Sequence, residues 1–130
     1  MKVLIVDDDP FMVEMYALKL KEAGFDVDSA ADGKSGLKKI QAGGLDVVLL
    51  DIVLPIMDGF EVLAALARLG TPHPPILLLT NLGQKEDVER GLSLGEAGYA
   101  IKAQFTPSEI VEKVNALMEK VRHRATKDER

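Results

Sequence analysis

The chain has 130 residues, enough for one domain with a proper core, and its 47% hydrophobic and 28% charged content is ordinary for a globular protein. It has no cysteine, so disulfides, thiolate metal sites and thiol catalysis are excluded, and its two histidines, His73 and His123, lie away from any apolar strand end and do not suggest a zinc site. A formal charge of −5 gives no footprint for nucleic acid or an anionic membrane, and no apolar run approaches the ~20 residues of a membrane span.

The start, Met1-Lys2-Val3-Leu4-Ile5-Val6-Asp7, runs straight into a strand and lacks a signal-peptide layout, so the expected setting is the cytoplasm. Asp7-Asp8-Asp9-Pro10 ends that strand, with Pro10 suited to the first position of a helix and Asp9 to its N-cap. Val13, Tyr16, Ala17 and Leu20 recur at helical spacing, and Gly24 closes the helix. Phe25, Val27 and Ser29 alternate with Asp26 and Asp28, the pattern of a half-exposed edge strand. A second helix is predicted from about Lys34 to Gln41, stopped by Gly43-Gly44.

Val47-Val48-Leu49-Leu50 follows, four apolar residues in a row, as in a strand buried on both faces of a parallel sheet. Asp51 comes at its carboxyl end, then a turn rich in Pro and Gly. A third helix is predicted over Phe60 to Leu69, stopped by Gly70, and Pro72, Pro74 and Pro75 lead rigidly into a fourth strand, Ile76 to Leu79, ended by Thr80-Asn81. Gln84 to Leu94 reads as a helix weakened by Gly91. Tyr99-Ala100-Ile101 is a fifth short strand, ended by Lys102. Thr106-Pro107-Ser108-Glu109 is a capping box that opens a last helix with Ile110, Val114, Leu117 and Val121 as its buried stripe. The domain is predicted over residues 1–121, with 122–130 a charged, frayed and disordered tail.

Five alternating strands and helices predict an α/β fold: a (βα)5 flavodoxin-like three-layer sandwich on a five-stranded parallel sheet in order 2-1-3-4-5. In such a sheet ligands bind at the carboxyl ends of the strands. Collected there are Asp7 and Asp8, Asp51, Thr80 and Lys102. Converging carboxylates repel unless a cation joins them, and oxygen ligands without His or Cys select a hard ion such as Mg²⁺. A carboxylate with a metal, a lysine and a hydroxyl around it has the tools of phosphoryl transfer. Taken singly, Asp51 is as well explained by strand-end punctuation or a helix cap; the joint placement favours function.

Over nearly its whole length the chain resembles the receiver domain of two-component response regulators, in its chemotaxis-regulator-like form. Asp7-Asp8 resembles that family's metal-binding pair; Asp51, with Pro55 and then Asp58-Gly59, resembles its phosphoacceptor motif; Thr80, Tyr99 and Lys102 match its hydroxyl, switch aromatic and lysine. The resemblance implies that Asp51 takes a phosphoryl group from a histidine of a sensor kinase or phosphotransfer protein. It also implies Mg²⁺ held by Asp8 and Asp51 directly, by Asp7 through water and by the Val53 carbonyl, with Lys102 pairing first with Asp51 and then with the phosphoryl oxygens. Thr80 would move towards the phosphoryl group and Tyr99 into the space it leaves. The implied output surface is the face of the fourth helix, fifth strand and fifth helix, for an unknown output protein or a dimer formed on activation, without direct nucleic-acid or membrane contact. Such a domain is not an enzyme towards other molecules; it promotes only its own phosphorylation and dephosphorylation.

The family usually has Pro directly after the lysine, with a cis peptide; here Ala103 follows Lys102. Two alternatives stand beside this reading: a receiver-like binding module that is not phosphorylated, and a haloacid-dehalogenase-type phosphatase using Asp7 and Asp9. The latter leaves Asp51 without a role and lacks a second acidic pair after the lysine.

Overall fold

The structure, a computed structural model, describes residues 1–81, 89–90 and 98–128. Among them are strands β1 (Lys2–Val6), β2 (Asp26–Ala30), β3 (Val47–Leu50), β4 (Ile76–Thr80) and β5 (Gly98–Ile101). The helices are α1 (Pro10–Glu22), α2 (Gly33–Ala42), α3 (Gly59–Leu69) and a C-terminal helix, Pro107–Asp128. The strands form one parallel sheet in the order β2-β1-β3-β4-β5, as expected. β3 lies at its centre, and all four of its residues are buried.

Alternation along the strands sorts the core into two layers. Val3, Ile5, Val47, Leu49, Leu77, Leu79 and Ala100 pack with Tyr16 and Leu20 of α1 and with Ile110, Val114 and Met118 of the C-terminal helix. Leu4, Val6, Val48, Leu50, Ile76 and Leu78 pack on the other side with Ile40 of α2 and Phe60, Val62, Leu63 and Leu66 of α3. Each such aliphatic side chain contributes roughly 1.5–3 kcal/mol on burial, so the sheet is a firm platform for what stands at its edge.

The helix starts follow from local chemistry. The Asp9 carboxylate accepts from the Phe11 and Met12 amides, Asp32 caps α2 through the Ser35 amide, and Asp58 caps α3 through the Glu61 amide. Thr106 and Glu109 bond each other's amides reciprocally, the expected capping box. β2 is the edge strand the sequence suggested, and Lys39 covers it by donating to Asp28 Oδ1 and the Ser29 carbonyl.

One expectation is corrected at the end of the chain. The C-terminal helix does not stop at Val121 with a disordered tail but continues through Asp128. The apolar stripe ends there, yet the residues beyond are mostly good helix formers, and an Arg122–Glu119 ion pair at i,i+3 spans the turn where the stripe gives out. The predicted fourth helix, residues 84–94 with Gly91, lies outside the described residues except for Glu89 and Arg90, which are helical. The Arg90 guanidinium stands 4.3 Å from the centre of the Phe60 ring. Among the described residues no helix is long and apolar enough to cross a membrane.

Candidate functional site

The ladder between β1 and β3 carries Asp7 and Asp51 to the carboxyl edge side by side. The Asp51 amide donates to the Val6 carbonyl and the Asp7 amide to the Ala30 carbonyl, so both residues are held by sheet-like bonds just past their strands. Both are buried, whereas Asp8 is exposed. One carboxylate oxygen from each of Asp7, Asp8 and Asp51 lies within 4.8 Å of the other two. An all-oxygen set of this kind, with no nitrogen or sulfur donor, suits a hard cation and fits Mg²⁺.

Lys102 reaches across from the end of β5. Its Nζ donates to Asp51 Oδ2 at 2.8 Å, the expected pairing, and also to Asp7 Oδ2 at 2.5 Å, which the sequence did not suggest. The remaining oxygens are held by backbone: Asp7 Oδ1 accepts from the Asp9 amide, and Asp51 Oδ1 from the Ile52 and Val53 amides. Burial raises the Asp7 carboxyl above the ordinary aspartate value, the Lys102 and Asp9 bonds offsetting this only in part. Burial alone would lower the Lys102 ammonium, but its bonds to Asp51 and Asp7 outweigh that and hold it above the ordinary lysine value.

The loop after Asp51 is shaped by two unusual backbone positions. A Cβ on Gly59 would lie 2.4 Å from the Asp51 carbonyl oxygen, so only glycine lets α3 begin this close to the phosphoacceptor candidate. Between Pro55 and Met57, whose amide bonds the Pro55 carbonyl, Ile56 adopts φ 71° and is 77% exposed. That is a strained γ-turn conformation for a β-branched residue. Val53 is also exposed on this rim.

Thr80 is fully buried at the end of β4, and Tyr99 is half-buried against the α2–α3 core layer. Asp9, the acid of the phosphatase alternative, is exposed and uses its carboxylate to cap α1. The Lys102–Ala103 peptide is trans and opens a 3-10 turn, Lys102–Gln104.

Comparison with known proteins decides the family: the response regulator receiver domain matches residues 3–115. The chain belongs to that family. This receiver domain is 37% identical over 117 residues to the alkaline phosphatase synthesis transcriptional regulatory protein PhoP of Bacillus subtilis, covering 90% of the chain and 48% of PhoP. It is 39% identical over 116 residues to the probable transcriptional regulatory protein TcrX of Mycobacterium tuberculosis, covering 89% of the chain and 49% of TcrX. The chain thus spans about half the length of these relatives. Among solved structures, the Francisella response regulator 1452 receiver domain matches with a TM-score of 0.83 at 32% identity, covering 92% of this chain and 98% of that one. Vibrio cholerae chemotaxis protein CheY4 matches with a TM-score of 0.78 at 33% identity, over 89% and 97% of the two chains.

Tyr16, in the buried stripe that helical spacing predicts for α1, is buried, and its hydroxyl is the one buried side-chain polar atom among the described residues with no hydrogen-bond partner.

Proposed function

We propose that this receiver domain accepts a phosphoryl group on Asp51 and relays the event through Thr80 and Tyr99. The observation that carries the reading is the buried Asp51 carboxylate, bonded to Lys102 at 2.8 Å and clustered with Asp7 and Asp8. In this reading one Asp51 oxygen attacks the phosphorus of a phosphohistidine. The P–N bond breaks with its electron pair left on the imidazole, and an acyl phosphate forms. The Ile52 and Val53 amides orient the attacking carboxylate, and Lys102 turns from it to the transferred oxygens, neutralising charge as it develops there. Asp7, Asp8 and Asp51, with the Val53 carbonyl, would hold Mg²⁺, whose charge when bound stabilises the phosphoryl oxygens.

The donor is a histidine of a sensor kinase or phosphotransfer protein in the cytoplasm. The domain is no enzyme towards other molecules, promoting only its own phosphorylation and dephosphorylation. Thr80 would draw towards the phosphoryl group, letting Tyr99 repack the face shared by β5, the C-terminal helix and the segment around Arg90, where an output protein or a second copy of the chain would bind. We take residues 1–121 as the functional unit. The test is incubation with Mg²⁺ and acetyl phosphate, followed by intact mass. One phosphoryl group is expected on the wild type and none on Asp51→Asn; labelling of Asp51→Asn at the wild-type level refutes the assignment.

A further inference from the structure

The loop from Asp51 to Gly59 is fixed at several points, and one of them belongs to α2, a helix with no part in the chemistry above. On its inner side Ile52 is buried, and Leu54 and Met57 pack on the α2–α3 layer, while Val53 and Ile56 stay exposed. The Gly59 amide donates to the Ile52 carbonyl at 2.8 Å, and the Met57 amide to the Pro55 carbonyl at 2.7 Å. The remaining contact comes from Gly33, buried at the first position of α2. A Cβ on Gly33 would overlap the Met57 carbonyl oxygen and stand 2.6 Å from the carbonyl carbon. Gly33 has no positive φ, so the closeness of Met57, rather than its own backbone angles, is what calls for glycine. A helix position otherwise prefers almost any residue to glycine. Both surfaces in contact are backbone, so neither can swing aside as a flexible side chain would; any larger residue at 33 requires α2 and the loop to part.

The consequence for the site runs through Val53. Its amide donates to Asp51 Oδ1 at 3.3 Å, and its carbonyl is among the groups that would hold Mg²⁺. Only Leu54, Pro55 and Ile56 separate it from Met57. Leu54 is packed, the Pro55 ring fixes its own φ, and the bond from the Met57 amide closes the turn around Ile56. Little slack is left in which a displaced Met57 carbonyl could be absorbed before Val53 moves.

We propose that Gly33 is a positioning residue for the phosphoacceptor loop: its bare Cα lets α2 set the Met57 carbonyl, and through the short turn the Val53 carbonyl, in register with the carboxylates of Asp8 and Asp51. The inference rests on the phosphoacceptor and Mg²⁺ reading above and adds to it a residue that touches neither the ion nor the phosphoryl group.

Gly33→Ala adds the missing Cβ. By titration calorimetry its Mg²⁺ dissociation constant should rise roughly tenfold over the wild type, the lower end of what disturbing the outer support of a metal site costs. Phosphoryl uptake from acetyl phosphate should shift to correspondingly higher Mg²⁺, with the half-saturating acetyl phosphate at saturating Mg²⁺ unchanged. General loosening of α2 is the competing account, and Leu37→Ala measures it, because it removes packing from the same helix without adding a Cβ at 33. Leu37→Ala should lower the urea midpoint in EDTA and leave the Mg²⁺ dissociation constant unchanged. Wild-type Mg²⁺ affinity in Gly33→Ala overturns the inference, and so does a loss of affinity in Leu37→Ala as large as that in Gly33→Ala. Should Gly33→Ala fail to fold, the wild type decides: on addition of Mg²⁺ the Gly33 amide resonance should shift together with that of Val53, and a Gly33 resonance that stays in place while Val53 moves overturns the inference. A wild type that binds no Mg²⁺ defeats the metal reading and the inference with it, whereas a wild type that binds the ion beside an unaffected Gly33→Ala removes Gly33 alone.

Discussion

The two faces of the sheet end differently at the carboxyl edge. On the side of α1 and the C-terminal helix, the rows Val3-Ile5 and Val47-Leu49 run into Asp7 and Asp51, which Lys102 ties together. On the side of α2 and α3, the row Ile76-Leu78 runs into Thr80, and Tyr99 packs against the same layer. One face ends in ions and the other in a buried hydroxyl and an aromatic ring. Ions respond to a new charge through Coulomb forces over several ångströms; a packed hydroxyl and ring respond by changing place. The division supports a reading in which the charge event occurs on one face and its mechanical consequence on the other, and substitutions on the two faces should therefore fail in different ways.

The largest effect is expected on the ionic face. Lys102→Met leaves Asp7 and Asp51 buried without their shared cation. Removing one partner of a buried ion pair costs about 3–5 kcal/mol, less where water reaches the site, so a loss of about 2–4 kcal/mol in urea unfolding is expected at neutral pH. Phosphoryl uptake should fall with it. A variant as stable as the wild type would mean that the cluster does not depend on its lysine.

Thr80→Ala tests the other face and should cost only about 1 kcal/mol, one buried hydroxyl. Asp51 should still be labelled by acetyl phosphate. What should shrink is the change in amide exchange protection around Tyr99 when the domain is activated with Mg²⁺ and beryllofluoride. If Thr80→Ala abolished labelling as completely as Lys102→Met, the faces would not be separable and the comparison would break.

Much of this was legible in the sequence because it follows local rules. The apolar run Val47–Leu50 could only be a doubly buried strand, and alternating strands and helices left few topologies. The strand-end rule then put Asp7, Asp8, Asp51, Thr80 and Lys102 at one edge of the sheet. What stayed hidden depends on distances between separate elements. No pattern says that Lys102 bridges to Asp7 as well as Asp51, or that Asp7 is buried while its neighbour Asp8 is exposed. Periodicity marked Tyr16 as core without saying where its hydroxyl lies. Ile56 breaks turn chemistry, since a β-branched residue is the wrong choice for positive φ, so nothing in the sequence pointed to that conformation. The last helix runs past Val121 because helix propensity continues where the apolar periodicity stops.

The smallest effect separates the two adjacent carboxylates, and it has the less obvious sign. Crowded acids suggest that removing Asp8 should relieve repulsion, but Asp8 is exposed and free to meet water. The burden falls on Asp7, which is buried and whose carboxyl is raised above the ordinary value of 3.8, first by burial and further by the charge of Asp51. Between the unfolded value and the raised folded one, the folded chain binds more protons than the unfolded chain, so stability falls as pH rises through that window. Above it the whole penalty is present. Asp7→Asn should therefore stabilise the metal-free domain at neutral pH, on the order of 1 kcal/mol or a few degrees in Tm, part of the gain being offset by a weaker bond to Lys102. Asp8→Asn should change it by less. Asp28, Asp32 and Glu109 are shifted the other way and lose their contribution as pH falls, so the absolute curve mixes both signs. The difference between wild type and Asp7→Asn isolates one group: it should be largest at neutral pH and close as the solution is acidified towards 3.8. A difference that instead widens on acidification would show that Asp7 stabilises the apo fold as an ion, and that its bond to Lys102 outweighs its burial.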